Sequence, residues 1–167
     1  RSSRDTLPGV DDAISLRLEL DLSESLDRRL QPDALIVQED RNLVMAPPGV
    51  LDLDRDDDLV SAYVAIAHHR PLPLGRYLLL KSRDGTDRWI YQAVVHDFAS
   101  RPSSRPRDVR RSLIAVLADA PQRGIRHVAS EPLGLWGSRG MTIEDMVGAF
   151  DQAVLEASLT IEAPLRL

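Results

Sequence analysis

"GIRHVASEPLGLWGSRGM", residues 124–141, decides how the rest of the chain is read. Ile125 to Ala129 is a short apolar run and reads as a buried strand. Pro132, Gly134, Gly137 and Gly140 follow closely, with Trp136 among them, and Met141-Thr142-Ile143-Glu144 then opens a helix. In an open α/β sheet, ligands bind outside the carboxyl ends of the strands. Glycines in such a loop let the backbone approach a ligand, and the following helix offers free N–H groups to an anion. The spacing therefore predicts a phosphate or diphosphate cradle. The simpler alternative is a loop whose glycines serve turn geometry only.

The segments on either side supply the frame. Ser15 to Leu22 alternates apolar and polar residues as a half-buried strand does. Ser23 is a candidate N-cap for a short helix. Ala34 to Val37 is a strand core, Asn42 to Ala46 a weaker strand, and "APPGV" (46–50) breaks the chain. "DRDDDLVSAYVAIAHH" (54–69) reads as a helix with Leu59, Val60, Tyr63, Val64, Ile66 and Ala67 on one face. Arg76 to Lys81 and Arg88 to His96 are two strands joined by an Asp84-Gly85 turn. Val109 to Ala120 is a helix with Leu113, Val116, Leu117 and Ala120 on one face and Gly124 as its stop. A last helix runs from Thr142 to about Ala157, with an apolar stripe of Met146, Phe150, Ala153, Val154 and Ala157. Leu159 to Leu167 alternates as a final strand. Strands followed by helices in this order predict an α/β fold with a mixed, mostly parallel sheet, and the apolar run at 125–129 is expected at the sheet's centre.

The chain has 167 residues, enough for one self-standing core, read here as a loose segment over 1–12 and a single domain over 13–167. With aromatics at 4% the core must be built from Leu, Val, Ile and Ala. A net charge of −5 argues against an extended nucleic-acid surface. The absence of cysteine removes disulfides, Cys-ligated zinc and thiol nucleophiles together. No apolar run approaches the ~18 to 20 residues that span a bilayer, and the first residues hold no apolar signal core. The expectation is a cytoplasmic protein without membrane contact.

Other candidate sites weigh less. Asp54, Asp56, Asp57 and Asp58 suit capping of a helix N-terminus better than a metal site, so no metal is expected. His68 and His69 diverge on a helix. His96 and Asp97, adjacent on a strand, face opposite ways, so they do not form a shared dyad and His96 reads as a packed histidine. The basic run "RPSSRPRDVRR" (101–111) reads as a solvated loop and helix start.

Read end to end, residues 15 to 167 resemble a macro domain, the ADP-ribose-binding module. "DALIVQEDRNLVMAPPGV" resembles the family's Asp-Ala-Ile-Val-Asn-Ala-Ala-Asn segment and first glycine loop. "PLPLGRYLLLKS" resembles its strand after Leu-Pro-x-Gly, and "RWIYQAVVHDF" its Val-Ile-His-Ala strand. "GIRHVASEPLGLWGSRGM" resembles the strand and diphosphate loop that usually reads Pro-x-x-x-Thr-Gly-x-x-Gly. The resemblance implies a three-layer α/β/α sandwich with the ligand between two glycine loops.

It further implies that Gly137 and Gly140 hold the two glycine positions of the second loop, Gly49 and Val50 the end of the first, and that Asp21 matches the adenine-contacting Asp. The departures are Gln38 and Arg41 at the two Asn positions, Pro47-Pro48-Gly49 in place of a glycine triplet, and Trp136 in place of Thr. The second Asn is associated with hydrolysis in several branches, so its loss implies a binder with little or no hydrolase activity and no catalytic residue. The expected ligand is ADP-ribose or a related nucleotide diphosphate, contacted by Asp21, Gly49, Val50, Gly134, Leu135, Trp136, Gly137, Ser138, Arg139 and Gly140, with no cofactor. The alternatives are a scaffold for protein contacts that binds no nucleotide, and a hydrolase of an ADP-ribose derivative working through Asp21 or His96.

Overall fold

In the computed structural model of the chain, the described residues are 16–17, 31–45, 68, 70–81, 88–160 and 165–167. Its strands are β1 (Leu16–Arg17), β2 (Ala34–Asp40), β3 (Arg76–Lys81), β4 (Trp89–His96), β5 (Val128–Ser130) and β6 (Leu165–Arg166). Its helices are α1 (Pro106–Gln122) and α2 (Ile143–Ser158).

The sequence of β4, WIYQAVVH, is buried from Ile90 to His96. A strand buried on both faces and both edges must sit inside a sheet with cover above and below. It does: the four-stranded order is β3-β4-β2-β5, with β4 antiparallel to β3 and parallel to β2, and β2 parallel to β5. β1 and β6 form a parallel two-stranded ladder. The sheet is mixed and mostly parallel, with helices packed on it, an α/β fold as the residue patterns predict.

Alternation along the strands divides the core. Tyr91, Ala93 and Val95 of β4, with Ala34 and Ile36 of β2, join Val109, Leu113, Val116, Leu117 and Ala120 of α1 in one apolar cluster. Val94 points the other way, to a smaller cluster with Leu43 and Leu72. The α1 residues recur at helical spacing and are fully buried. Pro106 opens that helix, where its missing N–H costs nothing. α2 lies beside α1 and buries Ala149, Ala153 and Ala157 one turn apart, small side chains that let the two helices come close. Thr142 caps α2 by accepting the Asp145 N–H at 3.1 Å.

Four expectations are corrected or shifted. β5 covers Val128–Ser130, later than the apolar run, and among the described residues it stands last in the four-stranded order, beside β2, where the centre was expected. Just before β5, the Asp33 carboxylate accepts the N–H groups of Arg126 and His127, each at 3.0 Å, while the His127 carbonyl accepts the Asp33 N–H at 2.9 Å. Ile125 is nonetheless buried, its N–H closing α1 on the Ala120 carbonyl at 3.0 Å. Residues 41–45 are a turn and its exit, not a strand. α2 runs to Ser158, so the expected final strand is confined, among the described residues, to Leu165–Arg166. The expected helices at Ser23 and over 54–69 lie outside the described residues, apart from His68, as do residues 18–22 of the first strand.

Candidate functional site

The carboxyl ends of β2, β4 and β5 converge, and a bulge shapes their meeting. Glu39 pairs with Val94 but Asp40 with His96, so β4 carries one extra residue there. A bulge at a strand end re-aims the side chains beyond it. Here it accompanies three consecutive functional positions on β2, Gln38, Glu39 and Asp40, and His96 on β4.

Gln38 ties the glycine loop to the sheet. Its Oε1 accepts the Gly134 N–H at 3.1 Å and faces His96 Nε2 at 2.8 Å, while its Nε2 reaches the Leu135 carbonyl at 3.4 Å. An amide oxygen can only accept, so His96 carries its proton on Nε2. Nδ1 then accepts from Ser103 Oγ, 3.1 Å away. The Ser103 hydroxyl is also 2.9 Å from the Arg139 carbonyl, which the Ser103 N–H already engages at 2.7 Å. Gln38 and Ser103 thus grip the start and end of the loop, and His96 stands between them. Burial lowers the His96 imidazole to about 4, against the opposing pull of Asp40, so the ring is neutral at neutral pH.

The loop itself is tight. The N–H groups of Arg139 and Gly140 both turn inward to the Trp136 carbonyl, at 3.0 and 3.1 Å, and Met141 N–H bonds the Gly134 carbonyl at 3.0 Å. A Cβ on Gly140 would lie 2.3 Å from Trp136 N and 2.5 Å from the Gly134 carbonyl oxygen, so only glycine permits this closure. Gly137 is different: it holds φ +50 with nothing within 4 Å of an added Cβ. The tip, Trp136 to Arg139, is exposed. Trp136, 47% exposed, leans on Phe98 (ring centroids 5.7 Å) and on the edge of His96 (6.2 Å), while Phe98 stacks on His96 at 5.5 Å.

Beside the loop, two buried carboxylates organise the chain that leads out of β2. Glu39 Oε1 accepts the N–H groups of Asp40 and Met45, at 2.9 and 2.8 Å. Asp40 accepts those of Asn42 and Val44, at 2.6 and 2.8 Å. These four bonds replace the ladder a strand at 42–46 would have needed. Burial pushes the Glu39 carboxyl up to about 7, with the Asp40 and Met45 N–H groups opposing. Glu131, which accepts the Gln38 N–H, is likewise raised by burial.

Arg41 donates to the Leu72 carbonyl at 2.9 Å and to Asp97 at 3.1 Å. Burial works against the Asp97 charge, but the Ala99 N–H, Arg41 and Ser100 outweigh it and hold the carboxyl below its usual range. His96 and Asp97 therefore have separate partners, as their adjacency on a strand requires. A cleft of about 230 Å³ lies on the outer edge of the loop, lined by Arg101, Pro102, Ser138 and Arg139.

The predicted site residues divide by position. Gly134, Leu135, Trp136, Gly137, Ser138, Arg139 and Gly140 come together at the strand ends. The N–H groups of Gly134, Arg139 and Gly140, expected to face a ligand, are instead bonded within the protein. Asp21, Gly49 and Val50 lie outside the described residues. His96, offered as a hydrolytic group in one alternative, has no exposed surface and both ring nitrogens engaged. Sequence reasoning missed Gln38, Ser103 and Phe98 as supports of the loop. Their one sequence signal is position: Gln38 near the end of β2, Phe98 just past β4, and Ser103 in the loop that follows. Among the described residues no group of three or more His, Asp or Glu could hold a metal ion, and no helix is long and apolar enough to cross a membrane.

No protein-family model matches the chain, and no curated protein matches it in sequence. Solved structures do match in fold. The macrodomain of Mycobacterium tuberculosis DarG is similar with a TM-score of 0.63 at 17% identity, covering 91% of this chain and 98% of that one. The macrodomain of Thermus aquaticus DarG gives 0.58 at 21% identity, covering 91% and 95%. A mutant of the Oceanobacillus iheyensis macrodomain, solved with ADPR, gives 0.60 at 12% identity, covering 81% and 76%.

Proposed function

We propose that this chain, whose fold is that of a macrodomain, binds ADP-ribose or a related nucleotide diphosphate on the loop 134–140, with little or no hydrolysis of the ligand. One observation carries the reading. The loop is drawn inward at both ends by Gln38 and Ser103, while its tip, at the carboxyl ends of parallel strands, is presented to solvent. In this reading the N–H groups of residues 135–138 receive the diphosphate, since those of Gly134, Arg139 and Gly140 serve the loop's own closure. Trp136, held against Phe98, covers or stacks on the ligand through its exposed face. The similar structure solved with ADPR supports the ligand class.

Little or no hydrolysis is expected because the chain's own groups are occupied. Arg41 stands at the position linked to hydrolysis in the family, and its guanidinium is bound to Leu72 and Asp97. His96 is neutral, buried and bonded at both nitrogens, so it cannot reach a substrate to move a proton.

Calorimetric titration with ADP-ribose tests the proposal, comparing wild type with Gly137→Glu. Position 137 has open space, so the variant keeps its fold, apart from roughly 1 to 2 kcal/mol of backbone strain at positive φ. It places a carboxylate where the diphosphate is expected and loses binding. Absence of heat from the wild type at millimolar ligand refutes the reading. Equal binding by both proteins puts the nucleotide on another surface.

A further inference from the structure

The basic run at 101–111 has no role in the nucleotide reading, yet the fold brings its first residue to the glycine loop. Arg101 and Arg139, 38 positions apart in sequence, line one cleft of about 230 Å³ with Pro102 and Ser138. Neither Trp136 nor Phe98 lines it, so it is separate from the aromatic shelf.

Three features make this cleft suited to an anion. Both arginines are exposed, and among the described residues neither has a carboxylate partner. Among the described residues, Asp97 is paired with Arg41, and buried Asp108 lies 3.6 Å from Arg107. The backbones that carry the two guanidinium groups are fixed to each other. The Ser103 N–H bonds the Arg139 carbonyl and the Ser103 carbonyl accepts the Asp97 N–H, each at 2.7 Å, closing the turn that holds Arg101. Among the described residues neither guanidinium is paired with a carboxylate, so both are available to an anion that enters the cleft.

We propose that this cleft binds a phosphate dianion, free or carried on a sugar, at a site distinct from the glycine-loop cradle. Guanidinium forks match phosphate oxygens in geometry as well as charge, and the Ser138 hydroxyl adds a donor. The volume exceeds what a bare phosphate fills, leaving space for a small attached group. Because Ser138 and Arg139 belong to the loop, an anion here restrains the loop's outer edge, and the coupling to any ligand on the loop is reciprocal.

The test is titration of the whole chain with inorganic phosphate, in a phosphate-free buffer of constant ionic strength, followed by the amide resonances of Ser138 and Arg139. Saturable shifts are expected in wild type, with affinity weakened about tenfold or more in Arg101→Gln and in Arg139→Gln, and no saturation in the double variant. Both side chains are exposed, and circular dichroism is expected to show native folds. Arg139→Lys retains partial binding if charge is what matters. Ribose 5-phosphate in a parallel arm separates the sources: tighter binding assigns a sugar-carried phosphate, equal binding a free one. Shifts reproduced by chloride, a wild type that does not saturate, or glutamine variants that bind like wild type overturn the proposal. An ADP-ribose titration alongside keeps the two readings apart, since phosphate can bind where ADP-ribose does not.

Discussion

Gly140→Ala is the sharpest perturbation of the loop. The new methyl carbon would stand 2.3 Å from Trp136 N and 2.5 Å from the Gly134 carbonyl oxygen. Optimal carbon contacts are near ~3.5 to 4 Å, and these neighbours are backbone, so no side-chain rotation relieves the overlap. The strands of the loop must part by about 1 Å. That separation breaks the Gly140 N–H to Trp136 bond (3.1 Å) and the Met141 N–H to Gly134 bond (3.0 Å). At roughly 0.5 to 1.5 kcal/mol net for each hydrogen bond, the loss is about 1 to 3 kcal/mol. For a chain of this size, 1 kcal/mol shifts Tm by about 2 to 4 °C.

Gly148→Ala supplies the counter-case. Gly148 lies within α2 with nothing near an added Cβ, and alanine in a helix is favoured by roughly 0.5 to 1 kcal/mol. The same chemical change is thus expected to lower Tm at 140 and raise it at 148, in thermal unfolding followed by far-ultraviolet circular dichroism. Near-ultraviolet dichroism reports the loop itself: Trp136 leaves its contacts with Phe98 and His96 in Gly140→Ala only. An alanine at 140 with wild-type Tm and an unchanged near-ultraviolet spectrum refutes the loop geometry.

The buried Glu39 and His96 make opposite pH terms. Glu39, raised from 4.5 to about 7, stabilises the fold below pH 4.5 and loses that contribution as pH rises through 7. His96, lowered from 6.5 to about 4, contributes above pH 6.5 and loses it as pH falls through 4. Each is worth roughly 3 kcal/mol, so they largely cancel in wild type between pH 4.5 and 6.5. Urea unfolding of Glu39→Gln across that range is expected to show stability rising with pH relative to wild type; parallel curves would contradict the burial of Glu39. Gln38→Leu leaves the buried His96 N–H and the Gly134 N–H without their acceptor. It is expected to cost about 1 to 3 kcal/mol and to speed hydrogen exchange at Gly134, and unchanged exchange there would remove Gln38 from its role in holding the loop. Trp136→Ala is expected to weaken ADP-ribose binding about tenfold with little effect on Tm, since the ring is half exposed; full retention of affinity would place the ligand away from this ring.

Most of the frame was legible because it rests on local periodicity. α1, α2 and the antiparallel pair β3–β4 follow from apolar spacing that needs no distant partner; the expected Asp84-Gly85 turn lies outside the described residues. The glycine loop was legible for the same reason: glycine and proline punctuate a chain wherever they stand. What sequence could not yield were the residues whose meaning depends on a partner far along the chain. The strand core is read only as far as Val37, since charged residues are seldom buried. Yet Glu39 and Asp40 are enclosed, because the turn at 41–45 folds its N–H groups onto them. Asp33 ties the approach to β5 by accepting two N–H groups 93 and 94 residues away, a contact invisible to any local window.

The loop's supports follow the same logic and explain why its glycines had two readings. Seen alone, the spacing of Gly134, Gly137 and Gly140 fits both a turn and a ligand cradle. The fold separates Gly137 from Gly140 by what surrounds them. Gly140 is required by closure of the loop on its own backbone, so its presence says nothing of a ligand. Gly137 is required by its positive φ at an open tip, where no protein atom fills the space beside it. Gln38, 96 positions before Gly134, and Ser103, 36 before Arg139, hold the two ends so that the tip stays presented. Buried polar side chains must each be matched to a partner to be tolerated, and Gln38, His96 and Ser103 match one another and the loop. Gln38, His96 and Ser103 therefore account for how the loop is held, the glycines permit that shape, and the proposed binding of a nucleotide at the tip is what titration of Gly137→Glu tests.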